Sequence, residues 1–194
     1  MKSPLKNVSF LLFGAALLVG GCEGEAPAPD PAPDADPSAV AVNRVAVATL
    51  APASGSTVGG TITLTEQEGG LLVEARVTGL APGPHGFHVH ETGDCSAPDA
   101  TSAGGHFAPA GDPHGAPSDA PGQRHVGDFG NLEAGPDSTA TYSRVDTVAT
   151  LSGPNSVIGR AVIVHQDADD LTSQPSGEAG PRIACGVIEM QEGM

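Results

Sequence analysis

An all-β domain is the fold class this sequence predicts, and three observations carry the prediction. The 194 residues include 27 Gly and 18 Pro, no Trp and only 3% aromatics. That composition supplies turns and weakens helix interiors. From residue 43 onward, apolar and polar residues alternate with a period of two between turn signals, as half-buried strands do. No comparable stretch keeps a helical period.

The candidate strands follow in order. The first covers residues 44–50. In the second, 61–66, Ile62 and Leu64 share a face. In the third, Leu71, Val73, Ala75 and Val77 face away from Leu72, Glu74 and Arg76, and Gly69-Gly70 forms a hairpin turn before it. Further candidates cover residues 86–91, 140–145, 157–165 and 185–190. Two long stretches, 92–131 and 166–182, are rich in Gly, Pro, Ala, Ser and Asp and show no clear strand. Long loops of this kind in a compact domain are functional or disordered. These two contain or adjoin nearly every residue with distinctive chemistry.

The N-terminus reads as an address. Lys2 and Lys6 precede an apolar run from Val8 to Val19, then Gly20, Gly21 and Cys22. This is the layout of a secretory signal, and the run is too short for a permanent membrane span. Val19-Gly20-Gly21-Cys22 resembles a bacterial lipobox, in which the cysteine is lipidated. The competing reading is a plain cleaved signal with a spare cysteine. Residues 23–40 are Pro, Ala and acid with almost nothing to bury, so they read as a solvated tether reaching up to ~55 Å in extended form. The expected organisation is a signal peptide at 1–21, a lipidated N-terminus and disordered linker at 22–42, and one domain at 43–194. The expected location is the cell envelope or periplasm.

The formal charge is −15, and after Lys2 and Lys6 no lysine remains, leaving six Arg against 23 acids. Such a surface repels nucleic-acid phosphates and anionic headgroups. The expected partners therefore include no nucleic acid, and the membrane only through the lipid anchor.

Seven histidines stand out: His85, His88, His90, His106, His114, His125 and His165. On a strand, His88 and His90 share one face while Phe87 and Val89 take the other. His106 and His114 follow, then His125-Val126-Gly127-Asp128, where a nitrogen and an oxygen donor three residues apart suit tetrahedral Zn²⁺. His165 ends an apolar strand. These donors are too many for one ion, so two metal ions are expected, and imidazole suits copper as well as zinc. With Cys22 assigned to lipid, Cys95 and Cys185 remain. An even number in an exported protein reads as a disulfide. The competing reading, a cysteine metal ligand, fits poorly with an oxidising compartment already rich in histidine donors.

The order and spacing of GPHGFHVHETGD (83–94), SAGGHF (102–107), RHVGD (124–128), GRAVIVH (159–165), ADDL (168–171) and PRIACGVI (181–188) closely resemble the copper/zinc superoxide dismutases. The resemblance implies an eight-stranded Greek-key β-barrel of immunoglobulin-like sandwich architecture, with both metals under two long loops. It implies copper on His88, His90, His106 and His165, and zinc on His106, His114, His125 and Asp128, with His106 bridging the ions. It matches Asp169 to the carboxylate linking ligands of the two metals. It also matches Arg182 to the arginine that meets the anion, Cys95 and Cys185 to the disulfide, and His85 to a structural histidine. The implied activity converts superoxide to O₂ and hydrogen peroxide, with Arg182 and His106 as the catalytic side chains. The alternative is a non-catalytic copper-binding or copper-storage module of the same fold. A homodimer is a possible assembly, because the family includes both dimers and monomers. Departures are longer Cys95–His106 and His114–His125 spacings and the absence of lysine from residues 171–181, a place where relatives often carry steering charge.

Overall fold

A computed structural model describes residues 44–191. The signal, Cys22 and the linker of the sequence reading lie outside these residues. The strands are β1 (Val45–Pro52), β2 (Gly59–Gln67), β3 (Gly70–Thr78), β4 (Gly83–His90), β5 (Asp128–Ala134), β6 (Thr139–Asp146), β7 (Ala161–His165), β8 (Arg182–Val187) and the two-residue β9 (Glu189–Met190). A single 3-10 turn, Thr101–Ala103, interrupts the first long loop, and the described residues contain no α-helix.

Hydrogen-bonded neighbours run β2-β3-β6-β5-β4-β7-β8-β1, and β1 pairs with β2 to close an eight-stranded barrel. Each of these pairings is antiparallel. The chain crosses over from β3 to β4 and from β6 to β7, leaving β3 beside β6 and β4 beside β7 rather than continuing as a meander, which makes the barrel a Greek key. Closure gives every barrel strand two neighbours, although β5 and β6 meet only through Ala134 and Ala140. β9 adds to β1 at Ala46 and Val47.

Alternation explains which residues fill the interior. Ala46, Ala48 and Leu50 from β1, Ile62 and Leu64 from β2, and Leu71, Val73, Ala75 and Val77 from β3 are all buried in one core. Phe87 packs there against Phe129 and Tyr142, with ring centroids 5.5 and 5.3 Å apart. β7 is buried along its whole length. Its Val162 and Val164 enter the barrel core, whereas Ala161 and Ile163 face outward into a smaller cluster with Ala100, Ala103 and Cys185. The first long loop thus covers the outer face of β7, and a disulfide between Cys95 and Cys185 fastens it there.

Most strand boundaries move by one to four residues, as when the strand expected at 86–91 runs Gly83–His90, and three differences are informative. The strand expected at 157–165 begins at Ala161, because Val157–Arg160 is a turn closed by Arg160 N–H donating to Val157 O at 3.1 Å. The strand expected at 185–190 starts earlier, at Arg182, and breaks at Ile188, whose N–H donates to Arg160 O. The stretch 92–131 is not all loop: β5 begins at Asp128. Its alternation is hidden because Asp128, Phe129 and Gly130 are buried in succession.

Candidate metal centre

β4 builds the first side of the site. Phe87 and Val89 enter the core, so the pleat sends His88 and His90 to the outer face. That face does not reach solvent, because the two long loops cover it and both histidines are buried. Pairing of Phe87 with Val164 and of His90 with Ala161 aligns β7 beside it and sets His165 next to Gly86, close to the His88 ring. An isolated bridge between His90 and His106 draws the first long loop onto β4.

His88, His90, His106 and His165 form one group whose ligand atoms lie within 4.8 Å of one another. Each ring has one nitrogen committed elsewhere. His88 Nε2 lies 2.7 Å from Asp169 Oδ2, His90 Nδ1 2.9 Å from Gly104 O, and His165 Nδ1 3.0 Å from Gly180 O. The remaining nitrogens converge. His90 Nε2 and His165 Nε2 are 3.4 Å apart, while His88 Nδ1 and His106 Nε2 are buried with no hydrogen-bond partner. Buried polar atoms rarely go unpaired in folded proteins. Burial is the largest influence on three of the rings: it holds His106 down to about 4, His165 down to about 3, and His90 lower still. At neutral pH their lone pairs are therefore free to bind a cation. Inward-facing neutral imidazoles with unpartnered nitrogens fit copper.

His106, His114, His125 and Asp128 form the second group. Asp128 Oδ1 lies 2.9, 3.0 and 3.1 Å from the Nδ1 atoms of His106, His114 and His125, and His125 Nδ1 is 3.3 Å from His106 Nδ1. Four ligands at Zn–N and Zn–O distances of ~2.0–2.1 Å would sit ~3.3 Å apart at the corners of a tetrahedron. The observed separations are close to that figure, so the group fits zinc. Burial alone would raise the Asp128 carboxyl, but hydrogen bonds from the three histidines outweigh it and hold the carboxyl below the usual carboxylate range. Burial likewise pulls His114 down, and its hydrogen bonds to Asp128 and Asp169 overcome this, raising the ring to about 9.

Two side chains join the groups. His106 belongs to both, presenting Nδ1 to one and Nε2 to the other. Asp169 spans them, with Oδ2 on His88 Nε2 at 2.7 Å and Oδ1 on His114 Nε2 at 2.9 Å. Such carboxylates fix the orientation of ligand rings.

Arg182 opens β8 and is half-buried. Its Nη1 and Nη2 donate to Ala100 O and Gly104 O, both at 2.7 Å. Gly104 O therefore orients both Arg182 and His90. His85, by contrast, joins neither group: its nitrogens meet His165 O at 3.0 Å and Ala81 O at 2.8 Å, a structural role.

The structure also brings in residues that the sequence reading passed over. Arg124 is buried and ion-paired to Asp146 at 2.5 Å, and its Nη1 donates to the carbonyls of His125 and Asp128. Asn131 donates to Asp169 O at 2.9 Å and accepts from Asp169 N–H at 2.8 Å. Gln174 makes the same two-way contact with His114. Gly177, at φ 67°, lies against the Asp169–His114 contact, where a Cβ would collide with both side chains. Position beside a ligand was the one sequence signal for Arg124. Asn131, Gln174 and Gly177 carried none, because their partners are distant in the chain.

Comparison with known proteins agrees with this geometry. The family model described as copper/zinc superoxide dismutase matches residues 58–188. Superoxide dismutase [Cu-Zn] 2 of Brassica juncea is 50% identical over 132 residues, which span 65% of this chain and 85% of that protein. A solved structure described as the clock protein EA4 aligns with a TM-score of 0.69 and 42% identity, over 76% of this chain and 94% of the other. With the family model spanning most of the domain, and with both donor groups in place, the chain belongs to the copper/zinc superoxide dismutase family.

Proposed function

We propose that the chain is an exported, lipid-anchored superoxide dismutase of the bacterial envelope type, with copper on His88, His90, His106 and His165 and zinc on His106, His114, His125 and Asp128. Its reaction is the family's: two superoxide anions and two protons become O₂ and hydrogen peroxide. The observation that carries the ligand partition is His106, whose two nitrogens serve different donor groups while its Nε2 has no protein partner.

When bound, copper supplies one-electron exchange between Cu²⁺ and Cu⁺, and zinc supplies no redox change. The chain's residues do the rest. Arg182, held by two backbone carbonyls, presents a fixed guanidinium to a small anion. His106 takes a proton at Nε2 when that atom is free and passes it to the departing peroxide. Asp169 keeps His88 and His114 in their required ring orientations. The rival reading, a copper-binding or storage module without turnover, is disfavoured because His88, His90, His106, His165 and Arg182 are all retained.

Loading the purified full chain with copper and zinc should give one of each per chain and superoxide dismutation. Fully loaded but inactive protein would exclude the enzyme in favour of the storage module. Export and anchoring rest on Lys2, Lys6, the 8–19 apolar run and Cys22. Among the described residues no helix is long and apolar enough to cross a membrane; attachment in this reading is proposed through Cys22. Cys22→Ser should move the protein from the membrane to the soluble fraction without changing specific activity. Retention on the membrane would sink the lipid reading.

A further inference from the structure

Gln174 lies in the loop between β7 and β8, sixty residues from His114 in the chain. Its Oε1 accepts from the His114 N–H at 2.8 Å, and its Nε2 donates to the His114 carbonyl at 2.8 Å and to Thr172 O at 3.2 Å. This is the donor–acceptor pair that an adjoining β-strand would offer. His114 needs it, because it sits in an irregular stretch with no strand beside it. Its ring also meets two carboxylates at once, Asp128 through Nδ1 and Asp169 through Nε2. Both contacts are possible only if the ring leaves the backbone in one direction. The two-way contact of Asn131 with Asp169 fixes the other partner in the same manner.

We propose that Gln174 is a positioning residue for the zinc-side group. It holds His114 through its peptide groups and couples the zinc ligands to the loop that also carries Asp169 and precedes Arg182. The inference rests on the zinc assignment made above. A carboxamide is suited to the task because it offers a donor and an acceptor side by side in one plane. A glutamate of the same size keeps the acceptor but sets a second oxygen against the His114 carbonyl.

The test uses the full chain carrying copper and zinc, and a second preparation with cobalt in place of zinc. Gln174→Ala should release zinc to a chelator about tenfold faster, the lower end of the effect seen when a ligand's supporting contacts are lost. Gln174→Glu should release it at least as fast as the alanine variant, and both should shift the visible cobalt bands. Copper content and the copper EPR spectrum should stay as in the unaltered chain. Glutamate matches glutamine in volume, so wild-type zinc release by Gln174→Glu would mean that bulk matters rather than pairing, and would overturn the proposal. Wild-type release by Gln174→Ala would overturn it as well. If the unaltered chain takes up no zinc, the zinc assignment itself has failed, an outcome distinct from either.

Discussion

His165 gives Nε2 to the copper-side group, and its Nδ1 is occupied by Gly180 O. It takes no part in the zinc-side group. In the proposed partition, His165→Ala should lower copper from one per chain to well below that while zinc stays close to one, as read by elemental analysis of one sample. Equal loss of both metals would contradict the partition. Asp169 touches a ligand of each group, so Asp169→Ala should weaken both, with zinc affinity falling about 10–100-fold. Tyr142 offers a cleaner titration. It is the only tyrosine in the chain, and no lysine follows Lys6, so little else in the domain changes charge in that alkaline range. Burial raises its phenol to about 12 from the ordinary 10, and its hydroxyl donates to Phe129 O at 2.9 Å. The folded pKa is raised, so this stabilisation is complete below the unfolded value and is lost as pH rises through the folded one. Ultraviolet titration of the metal-loaded protein should place tyrosinate formation near 12, moving to about 10 on unfolding. Titration of the folded protein at the unfolded value would show that the ring is not held as described.

At the scale of elements, the disulfide determines how firmly the first long loop covers β7. The bridge joins residues 90 apart in the chain. Closing a loop of that length stabilises the fold by about 4–5 kcal/mol in the chain-entropy model. The replacement of both cysteines by serine should lower unfolding stability by a sizeable part of that amount, measured by denaturant titration of metal-loaded protein. It should also weaken anion binding, because Arg182 is held by Ala100 O and Gly104 O, which lie in the loop the bridge fastens. Much of this architecture was legible in the sequence. β1, β2 and β3 each bury one face, so their period of two survives in the residues. β5 was not legible because its first three residues, Asp128, Phe129 and Gly130, are buried in succession, which hides the alternation that only its last residues keep. The site divides in the same way. The candidate ligands, which the structure gathers into two groups, were readable as spaced histidines in recognisable stretches. Their supports, Asn131 and Gln174, act on backbone atoms of residues far away in sequence and so leave no local pattern.

Across the whole molecule, charge opposes the substrate. The chain carries 23 acids against eight lysines and arginines, and residues 43–194 hold 18 of those acids against six arginines. Of these arginines, Arg124 is spent on Asp146 and Arg44 on Glu66. Arg182 lines a cavity of about 230 Å³ together with Ser54, Asp99, Thr101, Gly180 and Pro181. Asp99 is thus an acid placed in the same opening as Arg182, the residue proposed to meet the anion. Its carboxylate accepts from the Thr101 N–H and hydroxyl, which hold it ionised by lowering its pKa. A superoxide anion approaching Arg182 therefore meets attraction and repulsion from neighbouring groups. Salt screens charges beyond ~8–10 Å at physiological ionic strength, so it weakens the distant acids and the reach of the arginine together. The dismutation rate should accordingly fall only gently, or stay flat, as salt is raised. Asp99→Asn removes an opposing charge that lines the same opening, without altering any residue assigned to metal. It should raise the low-salt rate a fewfold, tighten azide binding measured at Cu²⁺, and make the salt dependence steeper. A steep decline in the unaltered chain, or a variant with the same rate, azide affinity and salt slope, would show that Asp99 does not govern the approach to Arg182.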